Sequence, residues 1–163
     1  MKILALDLSL NCTGYAIGVI VEGSINLVEK GHINNNRYAK KSQAFRLHRI
    51  ANVLKDIFVR HPDIDAVVKE RGFSKGHVST QALFKVAGVA DLMCFAVGQD
   101  NMDELTVAAI RKAVVGDGKA SKKETADALE VYVGEQEYFT DDESDAVAVL
   151  VAYAITKGLV RDY

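Results

Sequence analysis

The sequence of 163 residues is poor in the features that divide a chain or direct it to a membrane. It has one proline, no repeat and no low-complexity tract, so it contains no candidate linker between domains. No apolar stretch approaches the roughly 20 residues that span a bilayer. The apolar start, MKILAL, reaches Asp7 too early for a signal peptide. We therefore expect a single domain over residues 1–163, with no membrane association.

Cysteine is equally scarce. The only two cysteines, Cys12 and Cys94, lie far apart in apolar segments. Their separation argues against a zinc knuckle or a redox pair, and unpaired buried thiols are typical of a reducing compartment. We therefore predict a cytoplasmic protein.

The net charge is small, and only its distribution is informative. A formal charge of −2 does not by itself indicate nucleic-acid binding. However, residues 111–123 contain five basic side chains and one acid, whereas residues 135–145 contain six acids and no base. The chain thus separates a basic segment from an acidic one.

Hydrophobic periodicity predicts an α/β domain with a central mixed sheet. Helical spacing covers residues 40–60 and 78–97, and capping boxes at Ser121–Glu124 and Thr140–Glu143 indicate two further helix starts. The first three strands are joined by short turns, which favours an antiparallel meander. The predicted strands lie in 2–9 (KILALDLS, ending near Asp7), 13–23 (TGYAIGVIVEG), 25–33 (INLVEKGHI), 64–73 (IDAVVKERGF, ending near Glu70) and 103–110 (DELTVAAI).

The acidic segment TDDES, residues 140–144, has two interpretations. Acids in the first turn of a helix complement its dipole, each contributing about 0.3–1 kcal/mol, so the cluster could be structural. Alternatively, it belongs to a site with Asp7 and Glu70, which end two apolar strands where an unpaired carboxylate is costly. Asp145 shares a helix face with both Asp142 and Asp141, and spacing does not choose between them. Converging carboxylates would suit Mg²⁺ or Mn²⁺.

Several segments, in this order, resemble the RuvC family of Holliday-junction resolvases in the RNase H-like superfamily. They are Asp7 followed by TGYAI (13–17), KERGF (69–73), AAIRKAVVGDGKASKKE (108–124) and DDESDAVAV (141–149). The resemblance implies a five-stranded mixed sheet, three antiparallel strands then two parallel, flanked by helices. After Asp7, LSL replaces the usual Pro-Gly-Ser of the bacterial enzymes, which is more similar to a divergent bacteriophage branch. A bacterial cell or a phage-infected host is the implied location.

The resemblance also implies a set of site residues. The family's acidic tetrad falls on Asp7, Glu70, Asp142 and Asp145, and its D-x-x-D pattern selects Asp142 over Asp141. These four would be both the catalytic residues and the ligands of two Mg²⁺ ions per active site, with Mn²⁺ as a substitute.

DNA contacts and a dimer interface follow from the same resemblance. Phe73 matches an aromatic residue near the opened centre of the junction, where it would stack on unpaired bases. Arg111 and Lys122 match basic residues that face DNA, and the surrounding basic segment adds Lys112, Lys119 and Lys123 as candidate phosphate contacts. The helix over residues 78–97, apolar on more than one face, would form part of a homodimer interface.

The implied function is a Mg²⁺-dependent crossover junction endodeoxyribonuclease that resolves four-way junctions by paired nicks, with forks as a further substrate class. The same acids would also serve an RNase H-like nuclease acting on RNA or RNA–DNA hybrids. A non-catalytic junction-binding protein is a second alternative. An actin-like nucleotide-binding domain is a further rival, but it would need two copies of the fold. The four histidines form no ligand-spaced pair, so no site role is assigned to them.

Overall fold

Five strands form one mixed sheet. The computed structural model describes residues 1–72 and 77–161. The strands are β1 (Lys2–Asp7), β2 (Cys12–Val21), β3 (Ser24–Asn34), β4 (Ala66–Glu70) and β5 (Asp103–Leu105). Their order is β3-β2-β1-β4-β5; β1, β2 and β3 pair antiparallel, and β4 and β5 continue parallel to β1. The predicted sheet is confirmed.

Helices cover both faces of this sheet. They are α1 (Gln43–Arg60), α2 (His77–Ala96), α3 (Val107–Val115), α4 (Lys122–Ala128), α5 (Glu130–Val133) and α6 (Asp141–Thr156), with a short 3₁₀ turn over Asn36–Tyr38. One core packs α6 and α3 against the sheet, and the other packs α1 and α2 against the opposite face. No helix among residues 1–72 and 77–161 combines the length and apolarity needed to span a membrane.

The predicted strand over residues 103–110 is wrong beyond Leu105. The Thr106 side chain accepts a hydrogen bond from the Ala109 amide and caps α3, so the apolar residues that follow are helical. Ile110 and Val114, four residues apart, are the buried positions of this helix. A short apolar run fits either a strand or a helix, and here the cap decides.

The helix predicted over residues 78–97 spans His77–Ala96, and it leaves an apolar stripe uncovered. Phe84, Leu92 and Phe95 are 69%, 66% and 67% exposed, and Gly88 between them is exposed too. These positions follow one another at helical spacing on a single face. The opposite face, with Val86 and Ala90, packs in the core.

A polar cluster fastens the end of α1 to the sheet. Glu29 of β3 accepts a hydrogen bond from the Tyr15 hydroxyl at 3.0 Å and from Nη2 of Arg60 at 3.0 Å. Nε2 of His61 lies 2.9 Å from Oε2 of the same carboxylate. The pKa of Glu29 is lowered to about 2, chiefly by the hydrogen bonds from Arg60 and against the effect of burial.

Candidate active site

Two of the predicted acids end neighbouring parallel strands. Asp7 is the last residue of β1 and Glu70 the last of β4, and these strands pair in parallel with Leu6 opposite Lys69. Carboxyl ends of parallel strands meet at one edge of a sheet. Ala5 and Val68, two residues earlier in each strand, belong to the core beneath α6. By the alternation of side chains, Asp7 and Glu70 therefore face α6.

Three helices complete a cavity around these two carboxylates. α6 contributes Asp145, α3 contributes Arg111, and α4 contributes Lys122, and the cavity has a volume of about 150 Å³. Local sequence explains two of the placements. Ser121 and Glu124 form a full capping box that starts α4 at Lys122, as predicted, and Thr140 caps α6.

The carboxylates around the cavity repel one another, and burial adds to the cost of their charge. Burial, followed by the carboxylates of Glu70, Asp145 and Asp142, raises the pKa of Asp7 from its ordinary 3.8 to about 8. Burial and the charge of Asp145 also raise the pKa of Glu70. Four predicted site residues therefore act on one another electrostatically.

Lys122 partly offsets this charge. Its ammonium group donates a hydrogen bond to Oδ2 of Asp145. Although burial disfavours the charged ammonium, this hydrogen bond and the nearby Asp145, Asp7 and Asp141 charges raise the pKa of Lys122. The sequence predicts a DNA contact for Lys122, and the structure places this lysine at the edge of the carboxylate cavity, where its ammonium group contacts Asp145.

The donor set fits a divalent cation. A doubly charged ion would remove the conflict that raises the pKa of Asp7, and ligands that are all oxygen suit Mg²⁺ or Mn²⁺. Across residues 1–72 and 77–161, no three acidic, histidine or cysteine side chains stand close enough together to ligate one ion as they are.

Asp142 and Asp141 have different surroundings. Asp142 is half-buried and acts on the pKa of Asp7, whereas Asp141 is exposed. Burial, and then a hydrogen bond with Asp142, raises the pKa of the Cys12 thiol to about 12. Cys12, the first residue of β2, is therefore a neighbour of Asp142, although no site role was predicted for it from sequence.

The other predicted DNA contacts are dispersed. Arg111 lines the cavity, and Lys112 and Lys119 are exposed. Lys123 is exposed and forms an ion pair with Asp127 on its own helix, Nζ to Oδ2 2.6 Å. Phe73 lies outside the described residues.

The predicted capping box at Thr140–Glu143 is half formed. The Thr140 side chain accepts a hydrogen bond from the Glu143 amide at 3.4 Å. The Glu143 carboxylate, however, accepts from the Phe139 amide at 3.0 Å and lies 2.7 Å from Nδ1 of His32 in β3. Sequence reasoning assigned no role to His32, and the strand period that places it on the same face as Lys30 was the available signal.

Comparisons with known proteins agree with this architecture. The family model described as crossover junction endodeoxyribonuclease RuvC matches residues 3–153. RuvC of Erythrobacter litoralis is 32% identical over 160 residues, covering 98% of this chain and 96% of that protein. RuvC of Rhizobium etli is 27% identical over 158 residues, covering 97% and 92%. A Thermus thermophilus RuvC structure in complex with Holliday junction substrate superposes with a TM-score of 0.86 at 18% identity, covering 100% of this chain and 99% of that chain.

Proposed function

Because the chain belongs to the RuvC family of crossover junction endodeoxyribonucleases, we propose that it is a structure-selective DNA endonuclease that resolves Holliday junctions. The observation that carries this proposal is the cavity lined by Asp7, Glu70 and Asp145 beside Lys122 and Arg111. The two alternatives, an RNA-directed nuclease and a non-catalytic junction binder, are not favoured, since the matched relatives are named as junction endonucleases. Residues 1–163 act as one nuclease domain in the cytoplasm of a bacterial or phage-infected cell.

The tetrad Asp7, Glu70, Asp142 and Asp145 holds the metal in this proposal, as two Mg²⁺ ions per active site that Mn²⁺ can replace. Held by these carboxylates, such ions would supply an activated water for attack on the scissile phosphate and charge stabilisation for the leaving oxygen. The chain's own residues orient the substrate. Asp7 ends β1, which lies between β2 and β4 in the sheet. On DNA binding, the Lys122 ammonium group would exchange Asp145 for a phosphate oxygen.

Phosphate contacts outside the cavity come from the basic segment. Arg111 at the cavity and the exposed Lys112 and Lys119 supply positive charge next to the carboxylates, and Lys123 adds to it once Asp127 is displaced. Such contacts position the DNA backbone without reading its sequence. Phe73 stacks on an unpaired base at the centre of the junction.

The test is a cleavage assay on end-labelled four-way junction, fork and linear duplex, with Mg²⁺ or with EDTA. We expect paired nicks in the four-way junction that vanish with EDTA, because the proposed attacking water is activated by bound metal. Junction binding, measured in parallel, should persist in EDTA and weaken with salt, since phosphate contacts depend on ionic strength. Tight binding with no cleavage of any DNA would leave the carboxylate cluster a structural feature, and cleavage of RNA–DNA hybrid alone would favour the first alternative.

The protein acts as a homodimer, partly through the exposed stripe of α2. A stripe containing two phenylalanines and a leucine, Phe84, Phe95 and Leu92, is costly to leave in water and typical of an interface. Gly88, at the middle of the stripe, allows a second helix to approach closely. Two copies bring two cavities, which paired nicks require.

Leu92→Glu should convert the dimer to a monomer, because a charge at the centre of an apolar interface lacks a partner. Sedimentation velocity measures the state, and the cleavage assay should show paired nicks replaced by single nicks. Val59→Glu is the matched control, since Val59 of α1 is 70% exposed outside the stripe. A Leu92→Glu protein that stays dimeric would remove the stripe from the interface.

A further inference from the structure

Glu143 is a buried carboxylate that the metal-binding tetrad does not use. It lies on α6 between Asp142 and Asp145, but it is only 2% exposed and contacts β3 on the far side of the helix from the cavity. Its Oε1 lies 2.7 Å from Nδ1 of His32, and its Oε2 accepts from the Phe139 amide at 3.0 Å. The Phe139 amide donates to this carboxylate, and the Nδ1–H tautomer of His32 donates to it as well.

The contact between Glu143 and His32 lies in line with Asp7 across the sheet. Asp7 pairs with Gly14, and Gly14 pairs with His32, so the three residues occupy one line across β1, β2 and β3. The backbone carbonyl of Asp142 rests directly on Gly14. The first turn of α6 therefore spans this line, with Asp142 over the middle strand and Glu143 fastened at the outer one.

A local capping role does not account for this arrangement. A capping box would be complete within residues 140–143, as it is within residues 121–124 of α4. Glu143 instead reaches a side chain 111 positions earlier in the chain, with the ammonium group of Lys30 3.8 Å away. A capping contact determines at which residue a helix begins. The contacts of Glu143 also determine where the first turn of α6 lies on the sheet.

We propose that Glu143 and His32 form a positioning pair for the metal-binding carboxylates. The pair fastens the first turn of α6 to β3 and so sets the distance and direction of Asp142 and Asp145 relative to Asp7. Neither residue touches substrate or metal. The proposal rests on the function proposed above and names the residues that give its site a fixed geometry.

The central test is His32→Ala, with His32→Asn as the rescue. The Nδ2 atom of asparagine stands as many bonds from Cα as Nδ1 of histidine, so Asn can donate to Glu143, whereas Gln would reach one bond too far. We expect His32→Ala to lower the cleavage rate by roughly 10–100-fold and to raise the Mg²⁺ concentration for half-maximal activity. Junction affinity should stay within about twofold, because phosphate contacts are unchanged. His32→Asn should recover most of both losses.

His61→Ala is the matched control. It removes the histidine that lies 2.9 Å from Glu29, a contact of the same chemistry on the opposite face of β3. We expect a comparable fall in Tm with wild-type cleavage and wild-type Mg²⁺ dependence. If His61→Ala lost as much activity as His32→Ala, or if His32→Ala cut at the wild-type rate, the positioning role would be excluded.

A second readout separates this proposal from the nuclease function. The rise in Tm on adding Mn²⁺ reports metal binding without any DNA. We expect it to be large in the wild type and His61→Ala, small in His32→Ala, and restored in His32→Asn. If the wild type binds Mn²⁺ but cuts no DNA, the nuclease function fails while the positioning pair is still judged by this shift. Equal shifts in all four proteins would overturn the pair.

Discussion

Asp7→Asn should abolish junction cleavage and, in the absence of metal, make the protein more stable. The carboxylate is costly in its present surroundings because burial and three neighbouring carboxylates all disfavour its charge. Asparagine keeps the shape and removes the charge. We expect cleavage to fall by roughly 1000-fold or more, since metal-assisted charge stabilisation contributes several kcal/mol. In EDTA at pH 8 the Tm should rise by on the order of 5 °C.

The pH dependence of the stability gain follows from the direction of the pKa change. The folded state holds the Asp7 proton up to about pH 8, whereas the unfolded chain releases it near 3.8. This contribution to stability is therefore complete below about pH 4 and is lost as the pH rises to about 8. The Tm difference between Asp7→Asn and wild type should grow over that range. Saturating Mg²⁺ should reverse the sign of this Tm difference, because only the wild type, with all four carboxylates, is stabilised by binding the ion.

Asp141→Asn provides the comparison. Asp141 is exposed at the first position of α6, next to Asp142, and lies outside the set that raises the pKa of Asp7. Its substitution should leave cleavage intact and lower stability slightly, by about 0.3–1 kcal/mol, the contribution of one favourable charge at a helix start. Mg²⁺-dependent cleavage by Asp7→Asn would remove Asp7 from the mechanism. Loss of cleavage in Asp141→Asn would show that the wrong aspartate of the pair had been chosen.

The sequence was informative where local chemistry decides. Alternation and short turns were enough for the meander of β1, β2 and β3, and Ser121 was enough for the start of α4. The pairing of β1 with β4 needed the family resemblance, because residues between them give no local sign of which strand edge is free. Strand β5 was overextended because Thr106 can belong to a strand or cap a helix.

The interior of the site was predicted less completely than its acids. The resemblance to the RuvC family implies that Lys122 faces DNA. Only the packing of α4 against α6 brings it to Asp145. Glu143 fits the sequence pattern of a capping box, and that pattern does not indicate His32 as its partner. In both cases a long side chain contacts a residue of another helix or strand. The sequence shows the type of each residue but not the distance between the two.

Gly14→Ala should displace the first turn of α6 from β2 and so lower both stability and cleavage. A Cβ on Gly14 would overlap the carbonyl oxygen of Asp142 and lie 2.5 Å from its carbonyl carbon. Backbone cannot rotate away as a side chain can, so the first turn of α6 must lift off β2 and carry Asp142 and Asp145 with it. We expect a loss of stability of about 1–3 kcal/mol from overpacking and a fall in cleavage of roughly 100-fold from misplaced carboxylates.

Gly18→Ala on the same strand distinguishes displacement of the helix start from simple crowding. Its Cβ would lie 2.7 Å from Cδ2 of Leu150, the end of a flexible side chain in the middle of α6. This variant should lose stability under urea denaturation yet cut junctions at close to the wild-type rate, because the first turn of α6 stays on Gly14. The two variants are compared at matched fractions of folded protein. Similar cleavage rates would mean that the contact between Asp142 and Gly14 does not determine the geometry of the carboxylates. A selective loss in Gly14→Ala would tie the activity of the site to that one backbone contact.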